Sequence, residues 1–339
     1  MTAKALAATA ALVLALGASS NAHAQDFYKG KTVRFIVGHV VGSDYDVGTR
    51  LLAKYLPKHV PGQPTFVVPN MPQAAGVAAA NFLYSVAPRD GSVMGTFSRN
   101  YPTQAILRQA HIEGDPRRFN WLGATSFPGR ICVAGPKAAV KTPADLFTHE
   151  FIVGGGPGAG SSNSIIPTVI NRVLGAKFRV ITGYKGSQDA VLAIERGELE
   201  GVCASLAQFR AFEQHFKDGR LRIVFHAEEA AMPELPGVPS IYDFVQTNEQ
   251  RQFMRFVFAS VEFGRPYVLP PEAPGDRVQL MRRALAEAVK DPELIAEAAK
   301  MKLDMTYRPP DQLEQLVAKL YGTPPALIER IKELFPDIR

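Results

Sequence analysis

Residues 151–165 read Phe-Ile-Val-Gly-Gly-Gly-Pro-Gly-Ala-Gly-Ser-Ser-Asn-Ser-Ile, and few chain geometries accommodate such a run. The apolar start at 151–153 has the character of a buried strand ending. Five of the seven residues from Gly154 to Gly160 are glycine. Beyond them, Ile165, Ile166, Val169, Ile170, Val173 and Leu174 recur at helical spacing. The order is strand, glycine loop, helix. A loop of this kind lets backbone N–H groups crowd around a ligand, and the helix start adds unpaired donors and partial positive charge. Gly158, Ala159, Gly160, Ser161, Ser162 and Asn163 are therefore candidate contacts for an anion. A plain turn ahead of a capped helix is the structural alternative.

The nucleotide readings of this loop are weaker. Gly154-x-Gly156-x-x-Ala159 meets a loose dinucleotide pattern. The acidic residue expected about 20 positions further on is absent, and Lys177 and Arg179 stand there instead. No Gly-Lys-Ser/Thr follows, which argues against a nucleoside triphosphate. No cofactor is expected.

Residues 1–24 carry Lys4 as their single charge, a thirteen-residue apolar core at 5–17, and the small-residue motif Ala22-His23-Ala24. This is the pattern of an export signal cleaved after Ala24, which implies a periplasmic location. The apolar core is too short to span a bilayer. The remaining 315 residues suit two domains. Without Lys4 there are 37 basic and 32 acidic residues, spread along the chain. No basic cluster with interleaved aromatics marks a nucleic-acid surface, so no nucleic-acid partner is expected. A mildly basic surface suits a small anion. Cys132 and Cys203 each lie in a strand-like run and match no zinc spacing. A disulfide and two separate buried thiols are both open readings. Histidines are few and scattered, and no metal site is expected.

Apolar runs at 32–38, 65–69 and 92–97 alternate with helical patterns, as do runs at 120–124, 130–135, 178–182, 200–204 and 221–225. The run at 256–262 reads as a last strand, followed by helices at 276–289, 292–301, 310–321 and 324–334. Such alternation implies α/β lobes with mainly parallel sheets flanked by helices. Ligands in these sheets bind beyond the carboxyl ends of the strands. The loops following Gly38, Phe97, Val153, Thr182 and Ala204 are the ones that matter.

A set of short motifs runs in order through the chain. They are residues 27–38 (Phe-Tyr-Lys-Gly-Lys-Thr-Val-Arg-Phe-Ile-Val-Gly), Tyr45-Asp46 with Arg50-Leu-Leu-Ala53, and Asn70-Met-Pro-x-Ala-x-Gly76. Ala87-Pro-Arg-Asp-Gly91, Trp121-Leu-Gly123, Lys141-Thr-Pro-Ala-Asp-Leu146 and Gly183-Tyr-Lys-Gly186 follow, then Glu195-Arg-Gly-Glu-Leu-Glu-Gly201 and Tyr321-Gly-Thr-Pro324. Together they resemble the substrate-binding subunits of tripartite tricarboxylate transporters, the TctC or Bug family. The resemblance covers nearly all of the mature chain. It implies a two-lobed type II periplasmic-binding-protein fold joined by crossing strands. Residues 25–124 with 263–339 would form one lobe and 125–262 the other. A small carboxylated molecule would be captured between them and handed to membrane permease subunits by a monomeric protein.

The family's first loop usually reads Pro-Pro-Gly-Gly-Gly, where this chain has Val40-Val41-Gly42-Ser43-Asp44. The added side chains restrict backbone approach, and Asp44 brings negative charge. The departure implies a ligand that is larger, less acidic or partly cationic. Gly42, Ser43, Asp44, Tyr45 and Asp46 are the candidate contacts in this loop, with Asp46 read as a helix cap that orders it. Ser98, Arg99, Lys185 and Ser205 complete the candidate set. Arg99 is a possible carboxylate clamp, and Ser205 a hydroxyl donor. A solvated Arg99 and a surface Lys185 are the plainer alternatives. No Gly-x-Ser-x-Gly or His-Glu-x-x-His occurs, so a non-catalytic binding protein is expected. A ligand-sensing partner of a sensor kinase and a secreted α/β hydrolase are the alternatives.

Overall fold

The computed structural model describes residues 27–108, 111–126, 129–156 and 162–334. In chain order the strands among them are β1 (Thr32–Val37), β2 (Thr65–Val67), β3 (Val93–Thr96), β4 (Asn120–Thr125), β5 (Arg130–Ala134), β6 (Phe151–Gly154), β7 (Phe178–Ile181), β8 (Gly201–Ser205), β9 (Arg222–His226), β10 (Arg265–Leu269) and β11 (Tyr307–Arg308). The described helices of ten residues or more are α1 (Asp44–Tyr55), α2 (Ser162–Leu174), α3 (Ser187–Arg196), α4 (Asn248–Glu262), α5 (Gly275–Ala288), α6 (Pro310–Tyr321) and α7 (Pro325–Leu334). The chain divides into two units, Met1–Phe127 with Ser260–Tyr321, and Pro128–Ala259 with Gly322–Arg339.

In the first unit, β1 carries β-branched and aromatic residues whose alternate members Val33 and Phe35 are fully buried. The sheet order is β11-β4-β10-β3-β1-β2. β1 runs parallel to β2 and β3, whereas β10 runs antiparallel to both β3 and β4. Phe35, Leu52, Met94, Leu122, Tyr267, Met281 and Leu285 share one core with α1 and α5. In the second unit the order is β7-β6-β8-β5-β9, with β6 parallel to β7 and β8 and β5 antiparallel to β8 and β9. Ile131, Val133, Val191, Ile194, Val202 and Phe209 form its core against α3. α7 also belongs to this unit, where Arg330 pairs with Glu249 and the Arg172 guanidinium donates to the Leu334 carbonyl. Both sheets are mixed, and both are flanked by helices.

The expected strand at 256–262 is instead the end of α4. Phe253, Phe256, Met254 and Phe258 are buried at spacings of three and four residues, so the apolar surface is a helical stripe. A short window at 256–262 hides that period. The strand in this part of the chain is β10, which includes Pro266. The ring is tolerated because β10 pairs with β3 only from Tyr267 onward, leaving Pro266 at the strand's start with β4 as its partner.

Candidate functional site

Each sheet has an edge where its parallel strands end at their carboxyl termini. In the first unit this edge lies after β1 and β3. β1 passes through Gly38, whose N–H donates to the Thr96 carbonyl (2.9 Å), into a loop that ends at Ser43. Ser43 is extended and caps α1 by accepting from the Asp46 N–H at 3.3 Å. Asp46 itself is therefore not the cap. Its carboxylate, 2 % exposed, accepts from the Gly42 N–H (2.9 Å), Arg50 Nε (2.9 Å) and Asn70 Nδ2 (2.8 Å). Burial alone would raise its pKa, but these bonds outweigh burial and hold the group below the usual carboxylate value. Asn70 also donates to the His39 carbonyl (2.9 Å), and Arg50 donates to Asn70 Oδ1 (2.8 Å) and the Val68 carbonyl (3.1 Å). One buried carboxylate thus fastens both ends of the 39–43 loop to the segment after β2.

That arrangement leaves donors at the start of α1. The N–H groups of Asp44 and Tyr45 have no acceptor among the described residues, as expected of a helix's first turn. The Ser43 hydroxyl proton is likewise uncommitted. Tyr45 is held in place: its hydroxyl donates to the Gly264 carbonyl (3.2 Å) and accepts from the Arg99 N–H (3.3 Å). Its ring stacks on His39 with centroids 3.8 Å apart. Burial lowers the His39 pKa, Asp44 opposing and Arg99 reinforcing the effect, so the ring is neutral at pH 7. His39 Nε2 is buried without a hydrogen-bond partner. The Asp44 carboxylate is mostly exposed and lies 3.6 Å from the buried Arg265 guanidinium, which balances its charge. Ser98 is buried, and its hydroxyl accepts from the Asn100 N–H (3.3 Å). Val40 and Val41 are 62 % and 72 % exposed.

In the second unit the edge lies after β6, β7 and β8. The first glycines of the 154–160 run have packing roles. A Cβ on Gly154 would come within 2.8 Å of Leu199, and one on Gly155 within 2.7 Å of Ser164 Oγ. Gly155 and Gly156 continue the β6–β7 pairing through Gly155 N–H to Ile181 O (2.8 Å) and Gly183 N–H to Gly156 O (3.0 Å). Gly158, Ala159, Gly160 and Ser161 lie outside the described residues, and Ser162 is described only as the first residue of α2. Asn163 is buried, and its Nδ2 donates to Ser187 Oγ at 3.5 Å. Ser187 in turn donates to Gln208 Oε1 at 2.6 Å. Lys185 is exposed, with its backbone N–H on Asp189 (3.3 Å). Ser205 is half-buried at the end of β8, opposite Arg130 in the ladder.

The structure therefore brings Gly42, Ser43, Asp44, Tyr45, Asp46, Ser98 and Arg99 to one edge and Asn163, Lys185 and Ser205 to the other. It adds Asn70, Ser187, Gln208 and Arg130. Arg130 is 2 % exposed, forms a two-pronged pair with Glu228 (2.9 and 3.0 Å) and donates to the Phe258 carbonyl (2.8 Å). A charged residue inside an apolar strand was the available signal for it. Cys132 and Cys203 face each other across β5 and β8, both fully buried, and are disulfide-bonded. They lie within the ladder. Among the described residues no group of three His, Cys, Asp or Glu side chains is placed to hold a metal ion, and no helix is long and apolar enough to cross a membrane.

No protein-family model and no curated relative matches the chain. Solved structures do. A TctC solute-binding protein from Polaromonas is 18 % identical, with a TM-score of 0.70 over 91 % of this chain and 99 % of that one. The malate-bound MatC protein of Rhodopseudomonas palustris is 16 % identical, with a TM-score of 0.54 over 90 % and 98 % of the two chains. An adipate-bound protein from the same organism is also 16 % identical, with a TM-score of 0.56 over 90 % and 97 %. The α/β fold of this chain is that of the TctC and Bug-type periplasmic solute-binding proteins.

Proposed function

We propose that the chain is an exported, non-catalytic solute-binding protein for a small carboxylated molecule, which it delivers to the membrane permease of a tripartite tricarboxylate-type transporter. The observation that carries this reading is the start of α1. Two uncommitted N–H groups and the Ser43 hydroxyl share that turn, and Asp46, Asn70 and Arg50 fix the loop leading into it. Oriented N–H groups at a helix start favour an anion without needing a cationic side chain. Solved neighbours hold malate and adipate, which supports a carboxylate as the ligand class. We assign the protein to the periplasm, with cleavage after Ala24, and expect a monomer.

The test is a thermal-shift screen of residues 25–339 against mono-, di- and tricarboxylates and aromatic acids. A ligand that binds only the folded state raises the melting temperature by mass action, about 2.7 kcal/mol of stabilisation at a hundred times Kd. A selective rise with one acid class, the acid being recovered intact, is the expected result. No rise with any acid, or turnover of the acid or its ester, would remove the reading.

A further inference from the structure

The first edge contains a buried polar atom that the fold leaves without a partner, and it stands in the loop that the proposed function uses. His39 follows β1 and Gly38 and opens the 39–43 loop. Its carbonyl accepts from Asn70 Nδ2 (2.9 Å). Its ring stacks on Tyr45, the second residue of α1, with centroids 3.8 Å apart and an angle of 22° between the planes. Tyr45 is itself fixed through its hydroxyl by the Gly264 carbonyl and the Arg99 N–H. The imidazole is thus held against the first turn of α1, yet its Nε2 is buried with no hydrogen-bond partner. Buried polar atoms without partners are rare in native proteins, and each marks a place for water or a ligand. Every residue of this arrangement belongs to the first unit.

The charges around the ring decide what fits there. α1 brings Asp44, Asp46 and Arg50, of which Asp46 and Arg50 pair at 2.9 Å. β10 brings Arg265, which lies 3.6 Å from the Asp44 carboxylate. The segment after β2 contributes the uncharged Asn70. Asp44 favours protonation of the ring; burial and Arg99 oppose it and prevail, so the free ring is neutral. A carboxylate at the start of α1, beside the Ser43 hydroxyl and the N–H groups of Asp44 and Tyr45, supplies an acceptor for Nε2. Its charge also favours the imidazolium. A water in the same place supplies a partner without a charge and leaves the ring neutral.

We propose that His39 is a ligand-binding residue: Nε2 donates to the ligand carboxylate, and the ring takes up a proton from solvent as the ligand enters. This rests on the solute-binding reading and deepens it, because capture becomes tighter in mild acid than at neutral pH. The bound ring keeps its proton to a higher pH than the free ring. Affinity therefore rises as pH falls and levels off once the free ring is itself protonated.

The test is calorimetric titration of residues 25–339 with malate, adipate and benzoate at pH 6, 7 and 8, in buffers of different ionisation enthalpy. Carboxylic acids of this kind are ionised over that range. For an acid that binds, affinity should rise at least about threefold from pH 8 to pH 6, and the observed heat should vary with the buffer as net proton uptake requires. His39→Phe keeps a ring against Tyr45 but has no nitrogen; it should bind more weakly at pH 6 and lose both the pH and the buffer dependence. His39→Gln keeps a donor without a titrating site, and its affinity should be flat across the range. Wild-type binding without proton uptake, or uptake that persists in both variants, would overturn the inference while leaving a carboxylate-binding protein in place. No binding by any acid, here or in the thermal-shift screen, would remove the proposed function with it.

Discussion

At the scale of single residues, the Asp46 carboxylate decides the shape of the first loop. It accepts three hydrogen bonds while almost fully buried. Asp46→Asn keeps the shape but loses the charge and at least one acceptor position, and we expect a loss of about 1–3 kcal/mol at pH 7. The pH dependence has a definite sign. The folded group titrates below its unfolded counterpart, so its stabilisation is complete above the ordinary carboxylate value of about 3.9 and fades as pH falls through the lower folded value. Urea denaturation of both proteins should show a gap that is constant near neutrality and closes in acid; a gap that widens below pH 4 would refute this account. The sequence pointed to Asp46 as ordering the loop, but as the helix cap, a role that Ser43 fills. Asn70 was visible only as part of a motif, and Ser187 and Gln208 were not visible at all. Their meaning depends on three loops meeting in space, and no local spacing encodes that.

At the scale of elements, the helical and strand periods read correctly over much of the chain. β1, β6 and α2 are examples. The reading failed at 256–262, where a run of aromatic and β-branched residues in α4 imitated a strand. It also missed β10, a central strand that includes Pro266 at a position paired with β4 alone. One element boundary makes a sharp prediction. Gly76, just before the helix Val77–Asn81, has φ +92°, and a Cβ there would lie 2.6 Å from the Gly38 carbonyl and 3.1 Å from the Ser98 N–H. Gly76→Ala therefore pushes on the ends of both β1 and β3 as well as straining the backbone. We expect about 1–3 kcal/mol of destabilisation together with weaker ligand binding, even in the fraction that folds. Undiminished affinity in the folded variant would show that the loops after β1 and β3 are not part of the site.

At the scale of the whole molecule, the class of fold was legible from the alternation of strands and helices, whereas the antiparallel members of each sheet were not, since direction is set by long-range pairing. The cysteine pair stood undecided in the sequence for the same reason. In the structure it closes a segment with a sequence separation of 71. Removing both sulfurs with Cys132→Ala/Cys203→Ala should cost the second unit roughly 4 kcal/mol by loop-entropy reasoning. Chemical denaturation with a probe in each unit would check it: an equal loss in both units, or none in the second, would contradict a local constraint. The position of β10 has a further consequence, for the order of assembly. β10 sits between β3 and β4, yet it is made only after residues 128–259 have been synthesised. Until then β3 has an open edge and β4 has no neighbour on that side, while every strand of the second unit is already available. The strands of the second unit can thus pair before β10 exists, with α7 joining them later, while the unit that contains the chain's beginning still waits for its central strand. During synthesis, that waiting edge is where mispairing with another chain would begin.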